Sequence, residues 1–351
     1  VPLAATVVTG LAMLAVGVVA ARIVWPPSVS DSPTTRIMIE FPRDQAPRRP
    51  HTIKMLAPLP DGSGLLYSGP GTTTSTQFWI RHWDQLGATR APRIVEGGCC
   101  AVFSPHGDTI AYLAPPHKLL VMSLSGGAPL TVADSGLTSV TDLVGGVDWG
   151  DDGMLYASAI DGLVRVAPSG GKMEVVSRLD AQQDTSWLLY PSVLPGARGV
   201  LVTLMPKAGA WDRNRAKIAV VDLRSHTVQP VATGTRAIYA PSGHIVFANA
   251  NGVLWAAPFD ARALRVTGKE RELGDTVDVA AALGDFALTK SGSLVYTKSG
   301  VATSDVQWVD RHGDGTSIST DLNEIAVHSP ELSPDGKRVA MEVKVGDKIL
   351  Y

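Results

Sequence analysis

A short phrase returns seven times along this chain, and its period constrains the fold more than any other feature. It reads PLPDGSGLLY around Gly62, FSPHGDTIAY around Gly107, DWGDDGMLYA around Gly153, VLPGARGVLV around Gly196, YAPSGHIVFA around Gly243, LTKSGSLVYT around Gly292 and LSPDGKRVAM around Gly336. Successive glycines lie 45, 46, 43, 47, 49 and 44 residues apart. In most copies a proline fixes φ, a short polar residue bonds to local backbone, and the glycine tolerates a positive φ. The strand that follows has a period of two, clearest after Gly336, where Val339, Met341, Val343 and Val345 alternate with Arg338, Ala340, Glu342 and Lys344. The fourth copy is the weakest, because Gly196 directly follows Pro195 and Ala197-Arg198 are inserted before Gly199.

A second pair of strand-like runs follows most copies. These are Lys118 to Val132, Gly162 to Val176, Lys217 to Val231, Val253 to Thr267 and Val306 to Thr320, each broken by a polar hairpin turn. About four strands per 45-residue unit is the signature of a β-propeller. A stacked β-helix, with its shorter repeats, is the alternative, and no segment after the first sustains the 3.6-residue rhythm of a helical solenoid. The expected fold is therefore all-β: four-stranded blades, six or seven in number, with the seventh unit incomplete where the sequence stops at Tyr351.

Residues 1–24 differ from everything after them. Val1 to Ala21 carries no charge, and as a helix it would span about 32 Å against a hydrocarbon core of roughly 30 Å. Arg22, Trp25 and Pro26-Pro27 follow as interface and stop signals. A transmembrane helix over 1–24 is expected, with a cleaved leader ending near Ala20-Ala21 as the alternative. Residues 25–35 read as a Pro/Ser linker. Ile37, Ile39 and Phe41 then alternate, so a strand is expected at Arg36 to Phe41 and the propeller over 36–351.

The repeat phrase resembles that of TolB-like propellers, related to those of the tricorn protease and prolyl oligopeptidases, over Thr52 to Tyr351. The order of apolar span, linker, RIMIEFP and blades such as GGVDWGDDGMLYAS is also similar to the extracytoplasmic half of bacterial receptor-type serine/threonine kinases. That resemblance implies a single-pass inner-membrane protein with a periplasmic sensor or protein-interaction propeller. The kinase domain it implies upstream is not in this chain. A peptidase-associated propeller and a free periplasmic scaffold are the alternatives. The expected partners are the membrane, through residues 1–24, and a protein or small molecule at a propeller face.

The chemistry-bearing residues do not assemble into a catalytic motif. Kinase loops and a G-x-S-x-G elbow are absent, and Gly284-Asp285-Phe286-Ala287 lacks the last glycine of DFG. His51, His82, His106, His117, His226, His244, His312 and His328 are scattered without ligand spacing. Cys99-Cys100 read as free thiols, since a bridge between neighbours is strained. Asp148, Asp151 and Asp152, and the turn Asp310 to Gly315, offer carboxylates for a hard cation but lack the EF-hand spacing, so hairpin turns explain both. Trp79, Trp83, Trp149, Trp187, Trp211, Trp255 and Trp308 are read as packing between blades rather than as an aromatic ligand surface. No catalytic, cofactor or metal residue is assigned, the binding residues are left unknown, and no cofactor is expected. A net charge of −2 argues against nucleic acid.

Overall fold

The computed structural model describes residues 35–42, 44–47, 56–72, 76–91, 94, 97–115, 118–134, 145–160, 162–179, 185, 187–207, 212–280, 283–298, 307–309, 315–317, 326–336, 338–345 and 348–350. The expected membrane span at 1–24 lies outside these residues, as does all of the linker except Thr35. Among the described residues no helix is long and apolar enough to cross a membrane. Residues 1–40 and Phe41–Tyr351 form separate compact units. In the first, the described residues have no regular secondary structure. The strand expected at Arg36 to Phe41 is not formed: Ile37 and Met38 are 79% and 77% exposed. Alternation alone does not fix a strand without a paired neighbour.

The second unit is built from antiparallel meanders. The first blade is β1 (Leu56–Pro58), β2 (Gly64–Pro70), β3 (Thr76–His82) and β4 (Thr89–Arg90). The second is β5 (Cys99–Phe103), β6 (Thr109–Ala114), β7 (Lys118–Ser123) and β8 (Leu130–Ala133). The third is β9 (Val147–Trp149), β10 (Leu155–Ala159), β11 (Gly162–Val166) and β12 (Glu174–Arg178). The fourth is β13 (Trp187–Val193), β14 (Gly199–Met205), β15 (Lys217–Asp222) and β16 (Val228–Thr233). In the fifth, β17 (Arg236–Ala240), β18 (His244–Ala248) and β19 (Val253–Asp260) are extended by β20 (Arg265–Val266) and β21 (Arg271–Thr276), both paired with β19. Short hairpins follow: β22 (Val279–Ala280) with β23 (Leu283–Gly284), and β24 (Phe286–Leu288) with β25 (Leu294–Tyr296). Last come β26 (Gln307–Val309) with β27 (Gly315–Ser317), and the meander β28 (Ala326–Leu332), β29 (Val339–Val345), β30 (Lys348–Leu350).

The repeated phrase is the hairpin between the first two strands of each unit. In six copies the same bond closes it, from the glycine N–H to the residue three before: Gly62 to Leu59, Gly107 to Ser104, Gly153 to Gly150, Gly243 to Ala240, Gly292 to Thr289 and Gly336 to Ser333. Each of these glycines has φ between +68° and +90°, the left-handed region that a side chain resists. The irregular fourth copy shifts the bond by one residue. There Ala197 N–H donates to Leu194 O, at φ +47°, and Gly196 turns its N–H to Asp151 of the third blade.

Among the described residues the expected six or seven four-stranded blades are corrected to five. A sixth place in the ring holds the β24–β25 hairpin, which lies against β17 on one side and β1 on the other. The remaining inner strands touch in order, β1 with β5, β5 with β9, β9 with β13 and β13 with β17, so six inner strands close the ring. Among the described residues the sixth unit is two-stranded. Where full blades continue into apolar runs such as LLVM or IAVV, the chain after Tyr296 reads TKSGVATSD. The seventh copy forms its own three-stranded sheet, and the first blade contains only its own strands.

Packing between blades supplies the core. Ile110, Tyr112 and Phe78 join the first two blades, Leu155 and Cys99 the second and third, Tyr156 and Val200 the third and fourth, and Ile218, Ile245 and Phe247 the fourth and fifth. Tyr67, Tyr112 and Tyr156 are fully buried.

Candidate functional site

The six inner strands surround a cavity of about 250 Å³ to which every place in the ring contributes. Its wall follows a register. Counting two residues back from the first residue of each turn gives Ala57, Val102, Asp148, Ser192, Ile238 and Ala287, and all of them line the cavity. Side chains in a strand alternate between faces, so residues at one register position form one layer. Four of the six are apolar, and the two polar members, Asp148 and Ser192, are neighbours in the ring.

Counting back four residues reaches a deeper layer, about 13 Å along the strand from the turn. It contains Cys100, Gly146, Tyr190, Arg236 and Asp285. Cys100, Gly146 and Tyr190 all have positive φ, at +58°, +78° and +55°. The ladders of β5 and β13 shift register there, between Cys99 and Val102 and between Leu189 and Ser192. Bulges at inner strand ends re-aim side chains and backbone toward a site.

Arg236 is the one charged side chain of this depth that lines the cavity. It is 6% exposed. Its Nη1 donates to Gly284 O at 3.2 Å and Phe286 O at 2.6 Å, and its guanidinium lies 5.2 Å from the centre of the Phe286 ring. It thereby ties the fifth blade to the sixth place. Burial pulls the guanidinium pKa below its ordinary value, while the charges of Asp285 and Asp148 pull the other way.

The turns close the rim. The Pro60 ring packs on Gly107, where an added Cβ would come within 2.8 Å of it. Lys290 Nζ donates to Pro105 O at 2.7 Å. The third and fourth blades are linked by two carboxylates: Asp148 accepts from Val193 N–H at 2.7 Å and Asp151 from Gly196 N–H at 2.9 Å. Asp152 accepts from Tyr156 Oη at 2.7 Å and Met154 N–H at 3.1 Å. Burial first, and then Asp152, push the Tyr156 hydroxyl up to about 12. The acidic string thus serves as fasteners, and among the described residues no group of His, Cys, Asp or Glu has the arrangement to hold a metal ion.

The other residues named from sequence are dispersed. Cys99 and Cys100 are free, fully buried thiols, with burial raising the Cys99 pKa. His106 is exposed in its turn, His244 Nδ1 bonds with Ser242, and His226 Nδ1 lies 2.6 Å from Val176 O of the neighbouring blade. Trp79, Trp187 and Trp255 pack in core clusters, and Trp83 and Trp308 are exposed. Trp149 alone of the described tryptophans lines the cavity, its Nε1 donating to Gly153 O at 3.2 Å. His51, His117, Trp211, His312, Asp310 and Asp314 lie outside the described residues, and Asp285 of the DFG-like string is a buried inner-strand residue. Asp148, Trp149 and Asp151 were named from the sequence for other roles, whereas Val102, Ser192, Arg236 and Ile238 were missed, although the count back from each turn finds them.

No family model matches the chain, and no curated protein does. Among solved structures the chain is similar to TolB from Acinetobacter baumannii, at 15% identity and a TM-score of 0.47 over 59% of this chain and 52% of that one. It spans about half the length of that structure. It is also similar to a putative TolB from Agrobacterium tumefaciens, at 14% identity, TM-score 0.42, 52% of this chain and 67% of that one. A third is an oligogalacturonate lyase in complex with manganese, at 11% identity, TM-score 0.44, 71% and 86%. The β-propeller expected from the repeat is formed. These likenesses concern the fold alone.

Proposed function

We propose that the chain is a recognition module whose ligand enters the central channel from the end where the repeat turns converge. The observation that carries this reading is the cavity, lined by all six inner strands and holding one buried cation among apolar neighbours. Pockets that combine apolar walls with placed polar groups are where small ligands bind. In this reading the module binds its ligand and does not transform it.

The order of apolar span, linker and blades supports the finer reading, an extracytoplasmic sensor held in the inner membrane by residues 1–24 and linked to a receptor-type serine/threonine kinase. Thermal-shift screening of small metabolites and short peptides tests the channel. A ligand whose effect is removed by the channel-filling Ser192→Leu supports the reading, and ligands indifferent to that change overturn it. The genomic reading frame around these residues tests the kinase link, and protease protection in intact cells tests the topology.

A further inference from the structure

Arg236 is built as a receptor and not only as a fastener. A guanidinium has five N–H donors in a rigid fork. Nη1 has two of them, and both are used by the carbonyls of Gly284 and Phe286. Nε and Nη2 have no acceptor among the described residues, and Arg236 has no carboxylate at ion-pair distance. The side chain lines the cavity although it is 6% exposed. Its unused edge is the one on which Nε–H and an Nη2–H run parallel, the arrangement that pairs with both oxygens of a carboxylate.

The nearest carboxylates are committed elsewhere. Asp148 accepts from Val193 N–H, and Asp285 accepts from the Thr297 hydroxyl at 3.0 Å. They offset the charge of Arg236 at longer range, so selectivity comes from the fork more than from a net positive field. The cavity, of about 250 Å³, has room for a molecule of amino-acid size.

We infer that Arg236 receives the carboxylate of a small ligand, of about amino-acid size, that enters the channel past Asp148 and Ser192. This rests on the channel reading above and adds the chemical class of the ligand. The test pairs each acid with its amide: acetate with acetamide, succinate with succinamide, L-alanine with L-alaninamide. Binding to the full chain is followed by calorimetry and by the Nε–H resonance of Arg236. The expected result is saturable binding of at least one acid, its amide at least tenfold weaker, with the Nε–H resonance shifting on binding. Arg236→Lys, which keeps the charge and loses the fork, is expected to weaken the acid at least tenfold. Ser192→Leu, which leaves Arg236 and its carbonyl bonds in place, is expected to abolish binding without unfolding the protein. The inference is overturned if no acid binds, if acid and amide bind alike, or if sulfate at equal ionic strength shifts the same resonance to the same extent. A neutral ligand blocked by Ser192→Leu but indifferent to Arg236→Lys overturns the carboxylate assignment and leaves the channel reading standing.

Discussion

The channel wall has two unlike halves. The first, second and sixth places present Ala57, Val102 and Ala287 at the lining layer; the third and fourth present Asp148 and Ser192, and the fifth, whose residue in that layer is Ile238, adds Arg236 two residues deeper. Both halves have the turn hairpin, with its closing bond displaced by one residue in the fourth blade, and buried blade-to-blade packing. The fold is thus specified by turns and by the faces that blades turn to one another, and the channel-facing position is left open to vary. Variation at a constrained backbone position is how a shared scaffold acquires a particular site.

The difference can be broken most severely at Arg236. Arg236→Met strips two buried carbonyls of their donor, so a loss of about 3–5 kcal/mol is expected. Ser192→Leu on the same half should stay within about 1 kcal/mol. Urea unfolding measures both, and equal losses would dissolve the distinction between a structural and an open position.

The turn glycines sharpen the comparison next. Gly107→Ala in the apolar half meets a left-handed φ and the Pro60 ring at 2.8 Å, whereas Gly153→Ala in the polar half has the same φ and nothing within 4 Å. The first should cost about 2–4 kcal/mol and the second about 1–2. Thermal melts that rank them the other way would show that the rim contact at Pro60 relaxes freely.

A smaller effect is expected in acid. In the fourth blade Arg198 pairs with Asp222 through two hydrogen bonds, at 2.5 and 2.9 Å, holding that carboxyl well below its ordinary range, helped by the N–H groups of Arg224 and Ser225. A depressed folded pKa contributes stability above the ordinary carboxylate value of about 4, and that contribution is lost as pH falls toward the folded value. Arg198→Met should lower stability modestly at pH 7. The gap to wild type should narrow steadily below about pH 4, and a constant gap in pH-dependent unfolding would rule out the ion pair as its source. The smallest change belongs to Lys290→Met on the apolar side, where the lost bond is exposed and stability should move by less than about 0.5 kcal/mol.

Much of this architecture can be read from residues alone. The spacing of Gly62, Gly107, Gly153, Gly243, Gly292 and Gly336 specifies a hairpin each time, because a left-handed φ at a fixed period leaves the backbone little choice. The outer hairpins at Lys118 to Val132 and Lys217 to Val231 form as their apolar runs require. The blade count did not follow, since Gly292 announces a hairpin whether or not an apolar third strand comes after it. Arg236 was invisible for a related reason. In TRAIYA an arginine beside alternating apolar residues reads as a solvent face, and only the ring turns that face inward onto Gly284 and Phe286.

Closure at β24 and β1 has a kinetic consequence. Each of the other blade neighbours is adjacent in sequence, so those contacts assemble over short loops. The seam alone joins strands separated by most of the propeller, and closing so long a loop adds an entropic cost that grows only with the logarithm of its length. Local contacts of that kind favour fast, stepwise assembly, with the last short hairpin arriving as the latch that turns an arc of blades into one cooperative body.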